Sequence, residues 1–169
     1  MIFVTVGTHE QQFNRLIKCV DYLKKDGIIQ ENTIIQTGFS TYIPRYCSHK
    51  KLLAYQDMIK YVSEARIVIT HGGPSSFIMP LQIGKIPIVV PRRREFNEHI
   101  NDHQVDFVEA VAEKQGTIIP VYEIEKLKDV FINYDEIIAN MSSIIKRNNQ
   151  KFNMELERII SELLEVKER

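Results

Sequence analysis

The feature that most limits what this chain can fold into is an alternation. Short, continuously apolar runs rich in β-branched residues are separated by longer stretches whose apolar residues recur at helical spacing. Residues 2–6 form such a run and stop at Gly7; 33–37 stops at Gly38; 66–70 leads into His71-Gly72-Gly73; 87–90 stops at Pro91; 117–119 is the last. Leu52-Leu53-Ala54-Tyr55 reads as a weaker strand, and 39–50 as irregular chain. Between the runs, Phe13, Leu16, Ile17, Val20 and Leu23 predict a helix closed by Gly27, and 57–64 fits a short one. A third helix starts near Pro74, where a missing N–H costs nothing, and stops at Gly84; a fourth covers 98–114. Two more finish the chain, one carrying Ile124, Leu127, Phe131, Tyr134, Ile138, Met141 and Ile145, the other Phe152, Leu156, Ile159, Ile160 and Leu163. Strands that are apolar throughout must be covered on both faces. Alternating with helices, they predict an α/β fold: a parallel, doubly wound, Rossmann-like sheet. The expected division is a Rossmann-like domain over 1–147 and an amphipathic terminal helix over 148–169, a candidate partner-docking element.

The 169 residues suffice for one domain with a full core, and 44% apolar with 26% charged residues is a globular mixture rather than a disordered one. Lys and Arg balance Asp and Glu at 22 each, which argues against a broad electrostatic grip on nucleic acid or anionic lipid. Cys19 and Cys47 lack metal-type spacing and read as reduced thiols of a cytoplasmic protein. Residues 2–6 follow Met1 without a basic flank, so no signal peptide is expected, and no window approaches the ~20 apolar residues of a membrane span.

In a doubly wound sheet, ligands bind beyond the carboxyl ends of the strands. Three polar loops fall there: Gly7-Thr8-His9, Gln36-Thr37-Gly38 and His71-Gly72-Gly73-Pro74-Ser75-Ser76. In the third, two glycines would admit close backbone approach, the next helix would aim free N–H groups at the same space, and Ser75 and Ser76 would add hydroxyls: a site suited to a diphosphate, or else a tight turn with a serine cap. Neither Gly-x-Gly-x-x-Gly nor a P-loop is present, which removes the usual support for nicotinamide binding or ATP hydrolysis. After the run 87–90 comes Arg92-Arg93-Arg94, which could meet phosphate, and then Asn101-Asp102-His103-Gln104, which could read sugar hydroxyls. His99 and His103 are four apart, but no third ligand is evident and no metal site is expected.

The run Ile67 to Ser76, followed by Leu81, Gly84-Lys85 and Pro87 to Pro91, resembles the carboxyl-terminal domain of family 28 glycosyltransferases. Val4-Thr5-Val6-Gly7-Thr8 and Asn101-Asp102-His103-Gln104 extend the likeness over most of 1–121, and Gly7-Thr8-His9-Glu10-Gln11 and Asn97-Glu98-His99 resemble small subunits of capsule and exopolysaccharide synthesis. The resemblance implies the donor half of a GT-B enzyme. Gly72, Gly73, Ser75 and Ser76, in the loop opened by His71, would hold the diphosphate of a UDP-sugar; Gln104, with Asn101 and Asp102, the donor sugar; Gly7 and Thr8 would face the cleft; Gln36 and Gly38 would border the uracil. Where many relatives place a ribose-binding glutamate this chain has Met79, leaving ribose to another polar group such as Gln82.

The implied reaction is inverting transfer of a sugar, galactose favoured, from a UDP-sugar to a lipid-linked saccharide, without cofactor and, for want of Asp-x-Asp, without a metal. His9 is the candidate general base. The acceptor half is expected from a membrane-anchored partner that holds this chain at the inner face of the membrane, with a homo-oligomer as the other arrangement. The competing readings are a non-catalytic nucleotide-sugar-binding subunit and a UDP-sugar epimerase-like enzyme.

Overall fold

The structure is a computed structural model and describes residues 1–141. Met1–Tyr134 forms one compact unit; a second begins at Asp135, of which 135–141 are described and helical. The division expected at 147/148, the helix over 148–169 and Ile145 lie outside the described residues.

The first unit is the doubly wound sheet that the alternation predicts. Strands β1 (Ile2–Thr5), β2 (Thr33–Gln36), β3 (Ser48–Lys50), β4 (Ile67–His71), β5 (Ile88–Val90) and β6 (Ile119–Pro120) pair in the order β3-β2-β1-β4-β5-β6, every pair parallel. Helices α1 (Asn14–Lys25), α2 (Tyr55–Glu64), α3 (Pro74–Gln82), α4 (His103–Gln115) and α5 (Leu127–Ile132) connect or follow them. Strand order runs outward one way from β1 and, after β3, outward the other way from β4. Right-handed crossovers then put the two sets of connections on opposite faces. β1 and β4 are apolar except for Thr5, Thr70 and His71 at their carboxyl ends, and both are buried along their whole length. Phe3 and Val68 pack with Val62 of α2 and Ala65; Val89 packs with Phe77 of α3 and Val108 and Val111 of α4.

Several elements depart from expectation. The third strand is not 52–55 but Ser48–Lys50, at the sheet edge, with all three residues exposed. An edge strand that buries nothing carries no apolar signal, and a lysine there discourages pairing with other chains. Leu53 instead packs against the Phe3 cluster ahead of α2. The fourth helix starts at His103, not 98; Arg94–Phe96 form a 3-10 turn that Asn97 ends at φ 55°, a left-handed conformation Asn tolerates better than most residues. The helix expected from Ile124 is broken: a 3-10 turn at Ile124–Lys126, then α5, then a turn at Asn133 before 134–141.

A buried carboxylate ties the irregular stretch 39–47 to the frame. Asp21 of α1 is fully buried and accepts from the Tyr42 hydroxyl (2.7 Å) and from the N–H groups of Arg45 (2.9 Å), Tyr46 (2.8 Å) and Cys47 (3.0 Å). Both cysteines are free; burial, reinforced by Asp21, pushes the Cys47 thiol up to about 12, and burial pushes Cys19 up to about 11. Among the described residues, no helix is long and apolar enough to cross a membrane.

Candidate functional site

Strand order reverses between β1 and β4, and the crevice beyond the carboxyl ends of these two strands is where such sheets bind ligands. Thr5 pairs with both Gln36 and Thr70, so the loops after β1, β2 and β4 leave the sheet at one level. A cavity of about 560 Å³ opens there. Gly7, Thr8, His9, Gln36, His71, Ser75, Ser76 and Met79 are among its walls. The structure thus brings together seven of the expected site residues, with Met79 beside them. A cavity of about 610 Å³ is lined by Gly72, Gly73, Gln104, His99 and His103 among others. Gly38 lies elsewhere, in a cavity of about 540 Å³ between 37–43 and 49–51.

The glycines do something other than expected. A Cβ on Gly73 would stand 2.2 Å from Cε1 of His71, and one on Gly7 would stand 2.4 Å from its Nε2. One on Gly72 would press Gln104 and Val108 at 3.0 Å, and one on Gly38 would meet the Gly7 carbonyl oxygen at 2.7 Å. The space that two of these glycines leave is filled by the imidazole of His71, held between the loops after β1 and β4. The reading of Gly73 as room for close ligand approach is corrected accordingly. Its N–H is committed as well, donating to Nδ1 of His71 at 3.0 Å. Nε2 of the same ring is 2.7 Å from the Ser76 hydroxyl. Burial, helped by the charge of Arg92, lowers the His71 pKa to about 4, so the ring is neutral at pH 7.

Three donors remain for an anion at the start of α3: both serine hydroxyls and the N–H of Ser75, which in the first turn has no helical carbonyl four residues back. Pro74 contributes no N–H, as expected for a first helical position.

Gln36 forms part of the opposite wall. Its Nε2 donates to the Gly7 carbonyl at 3.3 Å, which fixes the amide orientation. Its Oε1 has no partner among the described residues, although the residue is only 3% exposed. A buried acceptor left unpaired costs about 1–3 kcal/mol, a penalty that a ligand donor in the cavity would remove.

Arg92 was expected to meet phosphate; it does not face the cavity. It is 0% exposed, and its guanidinium donates to the carbonyls of Val6 (2.7 Å), Gln11 (2.9 Å), Gln12 (3.0 Å) and Glu98 (3.0 Å). Its ring-facing side rests on Phe13, 4.8 Å from the centroid. Burial lowers its pKa to about 10, still charged at pH 7. That charge lowers the pKa of both His71 and His9, so it acts on the cavity through space.

Asn101 and Asp102 have local partners. Asp102 accepts from the Arg94 N–H at 2.9 Å, and Asn101 from the His103 N–H at 3.4 Å, so both fold the loop before α4 and neither lines a cavity described above. Gln104 does line one, and its Oε1 accepts from the Arg92 N–H at 3.2 Å. Gln82, offered as a substitute for the missing glutamate, is exposed at the end of α3 and outside the cavity where Met79 sits.

The His9 ring lies 4.8 Å from that of His99, tilted by 40°, and its Nδ1 accepts from the Gln11 N–H at 3.2 Å. Its pKa is lowered by burial, then by Arg92 and His99. The neutral ring therefore carries its proton on Nε2. To act as a base it must release Gln11 and take the proton at Nε2 in the other tautomer.

Residues that the sequence reading passed over complete the frame. Glu98 is fully buried and binds Arg15 of α1 through Nε (3.0 Å) and Nη2 (2.9 Å), and also accepts from the Arg93 N–H at 3.1 Å. Apolar spacing could mark the buried face of α1 but not the charged pair beside it. A carboxylate eighty-three positions from its arginine gives no local signal.

Among known proteins, the "UDP-N-acetylglucosamine transferase subunit ALG13" of Homo sapiens is 34% identical over 107 residues, covering 58% of this chain and 9% of that protein. The chain therefore spans less than a tenth of the curated relative it matches. The solved "Glycotransferase of kitacinnamycin" superimposes with a TM-score of 0.56 at 12% identity, over 86% of this chain and 38% of that one, a likeness of fold. The glycosyltransferase SnogD from Streptomyces nogalater gives 0.48 at 14% identity, over 83% and 39%. The glycosyltransferase family 28 C-terminal domain matches residues 1–163, from ahead of β1 through the glycine-serine loop and beyond, and this chain belongs to that family.

Proposed function

We propose that this chain is the donor-binding part of an inverting glycosyltransferase, moving a hexosyl group from a UDP-sugar to a lipid-linked saccharide in capsule or exopolysaccharide synthesis. The observation that carries the reading is the cavity at the β1/β4 switch point. In a family 28 domain, it joins serine hydroxyls and a helix N-terminus on one wall to the partnerless Oε1 of buried Gln36 on another. The diphosphate lies against Ser75 and Ser76, and the Arg92 charge favours it without contact. Gln36 Oε1 accepts from the uridine. The sugar extends toward Gln104.

In the transfer, an acceptor hydroxyl oxygen bonds to the anomeric carbon while the bond from that carbon to the diphosphate breaks. The electron pair leaves with UDP, and a base takes the hydroxyl proton. The serine donors stabilise the charge that develops on UDP, so no cofactor is required and turnover should survive chelation with EDTA. Loss of turnover in EDTA that manganese or magnesium restores would refute that point.

The acceptor half comes from a membrane-anchored partner, which keeps this chain in the cytoplasm at the membrane face. The word "subunit" in the human relative's name supports a two-part enzyme. Capsule-type motifs favour galactose as the sugar; that relative's name favours N-acetylglucosamine. Calorimetry with UDP-galactose, UDP-N-acetylglucosamine and UDP-glucose is the test. Micromolar binding of one, abolished in a folded Ser75→Ala/Ser76→Ala variant, is expected. No binding of any of them, or of UDP, would overturn the proposal.

A further inference from the structure

His71 enters the donor-site reading only as part of a loop, yet its ring is the best-fixed group at the cavity. Both of its faces are set by absent side chains, since Gly7 and Gly73 each leave room that a Cβ would close to 2.4 Å or less. Both nitrogens are engaged. Nδ1 receives the Gly73 N–H and so must present a lone pair. A neutral imidazole has one N–H, which must then be on Nε2. Nε2 is 2.7 Å from the Ser76 oxygen, so it donates there and Ser76 accepts. The serine proton must therefore point away from His71, and Ser76 is on the cavity wall.

We infer that His71 is a positioning residue: by fixing its tautomer on the Gly73 N–H it keeps the Ser76 hydroxyl proton turned away from the ring, free to donate to the diphosphate of the bound nucleotide. The inference rests on the donor-site reading for the ligand's identity, but the tautomer and the Ser76 orientation belong to the free protein. A hydroxyl that rotates freely can turn its proton toward the ring or toward the cavity. One that accepts from Nε2 must turn its proton away from the ring, which leaves the O–H free for an anion, and an anion needs donors. The buried ring, at about 4, stays neutral across the physiological range, so the arrangement does not switch off near pH 7.

The amide side chains separate the two contacts of the ring. Asn places an oxygen near Nδ1 and can accept from Gly73 but cannot reach Ser76. Gln places its NH₂ near Nε2 and can donate to Ser76. At constant pH 7.5 with UDP as the probe, Ser76→Ala should weaken binding roughly three- to tenfold. His71→Asn should weaken it by a similar factor, and His71→Gln should stay within about twofold of the original affinity. The double variant His71→Asn/Ser76→Ala should bind no more weakly than Ser76→Ala alone, because both remove one interaction. Multiplying effects, or a folded His71→Asn with unchanged affinity, would overturn the inference.

A long-range proton–nitrogen NMR spectrum of the unmodified protein tests it without any variant. It should show His71 unprotonated at Nδ1 and protonated at Nε2, in the absence of UDP. The opposite tautomer would refute the inference even if every substituted protein misfolded. If the unmodified protein binds no UDP at all, the donor-site reading fails, and the spectrum still decides the role of the ring.

Discussion

Gly73→Ala separates two explanations of the glycine loop. If Gly73 is glycine so that a ligand can approach, alanine there should leave the free protein's stability intact and weaken only binding. The structure says otherwise. Gly73 has φ −75° and ψ 130°, which alanine adopts without strain, so the backbone itself resists nothing. Alanine's methyl, however, would lie 2.2 Å from Cε1 and 2.9 Å from Nδ1 of His71. To regain ordinary contact the ring must retreat by about 1 Å or more. The Gly7 loop bounds the ring as well, so retreat means tilting out of the slot, which breaks the 3.0 Å bond from the Gly73 N–H and the 2.7 Å bond to Ser76. Overpacking costs about 1–3 kcal/mol and each neutral hydrogen bond about 0.5–1.5 kcal/mol, so a loss of roughly 2–6 kcal/mol is expected. Urea unfolding of the free protein should show it as a lower midpoint at unchanged slope. Adding His71→Ala should recover a substantial part of the loss, because the methyl then enters the space the ring vacates. A Gly73→Ala protein whose midpoint matches the original while its UDP affinity falls would refute the ring-slot explanation and restore the ligand-approach one.

Asp21→Asn should destabilise the fold by about 3 kcal/mol or more, because an amide NH₂ would face backbone N–H donors where a carboxylate oxygen now accepts them. Burial pushes the Asp21 carboxyl up, but the bonds from Arg45, Tyr42, Tyr46 and Cys47 outweigh it and hold the pKa below its ordinary value. The stabilisation is therefore complete above the unfolded value of about 3.9 and is lost as pH falls through the lower folded value, so the gap between the two proteins should close in acid; a gap that stays constant from neutral pH to pH 3 would contradict this. Arg92→Lys should cost about 3 kcal/mol in thermal or urea unfolding, since one ammonium cannot reach four separate carbonyls; a shift under 1 kcal/mol would show that the network is dispensable. His9→Ala, in a transfer assay with the partner present, should lower kcat about a hundredfold or more while UDP affinity stays within about twofold; equal losses in both would make His9 a binding group rather than the base.

The fold was legible where burial writes a pattern. β1 and β4 are buried along their whole length, so they are apolar but for Thr5, Thr70 and His71 at their carboxyl ends, and β5 is buried and apolar throughout. β3 was missed for the converse reason: its Ser, His and Lys are all exposed, and it exists through backbone pairing with β2 alone. The loops of the site were legible because a doubly wound sheet must present its strand ends on one edge. What individual residues do within those loops was less so. His71 and Gly73 are two apart and looked like a turn, but which space a glycine leaves, and for whom, depends on a ring orientation that spacing does not carry.

Arg92 shows how a correct location can come with a wrong role. Three successive arginines after a strand suggested phosphate contacts, yet the first of them points inward. Val6 ends β1's apolar run, Gln11 and Gln12 lie between that strand and α1, and Glu98 follows the turn after β5; Arg92 binds a carbonyl from each of these segments. These carbonyls belong to loops on the ligand edge, which have no sheet partners to satisfy them. A buried guanidinium with five donors supplies what a strand would otherwise have supplied. Glu98 neutralises part of the charge, but its carboxylate is also shared with Arg15 and the Arg93 N–H, so the local balance remains cationic. The same group thus ties the loop after β1 to the loop after β5 and places a positive charge behind the crevice, close enough to depress the pKa of His9 and His71. A diphosphate in the crevice would meet that field with every one of these Arg92 hydrogen bonds left in place.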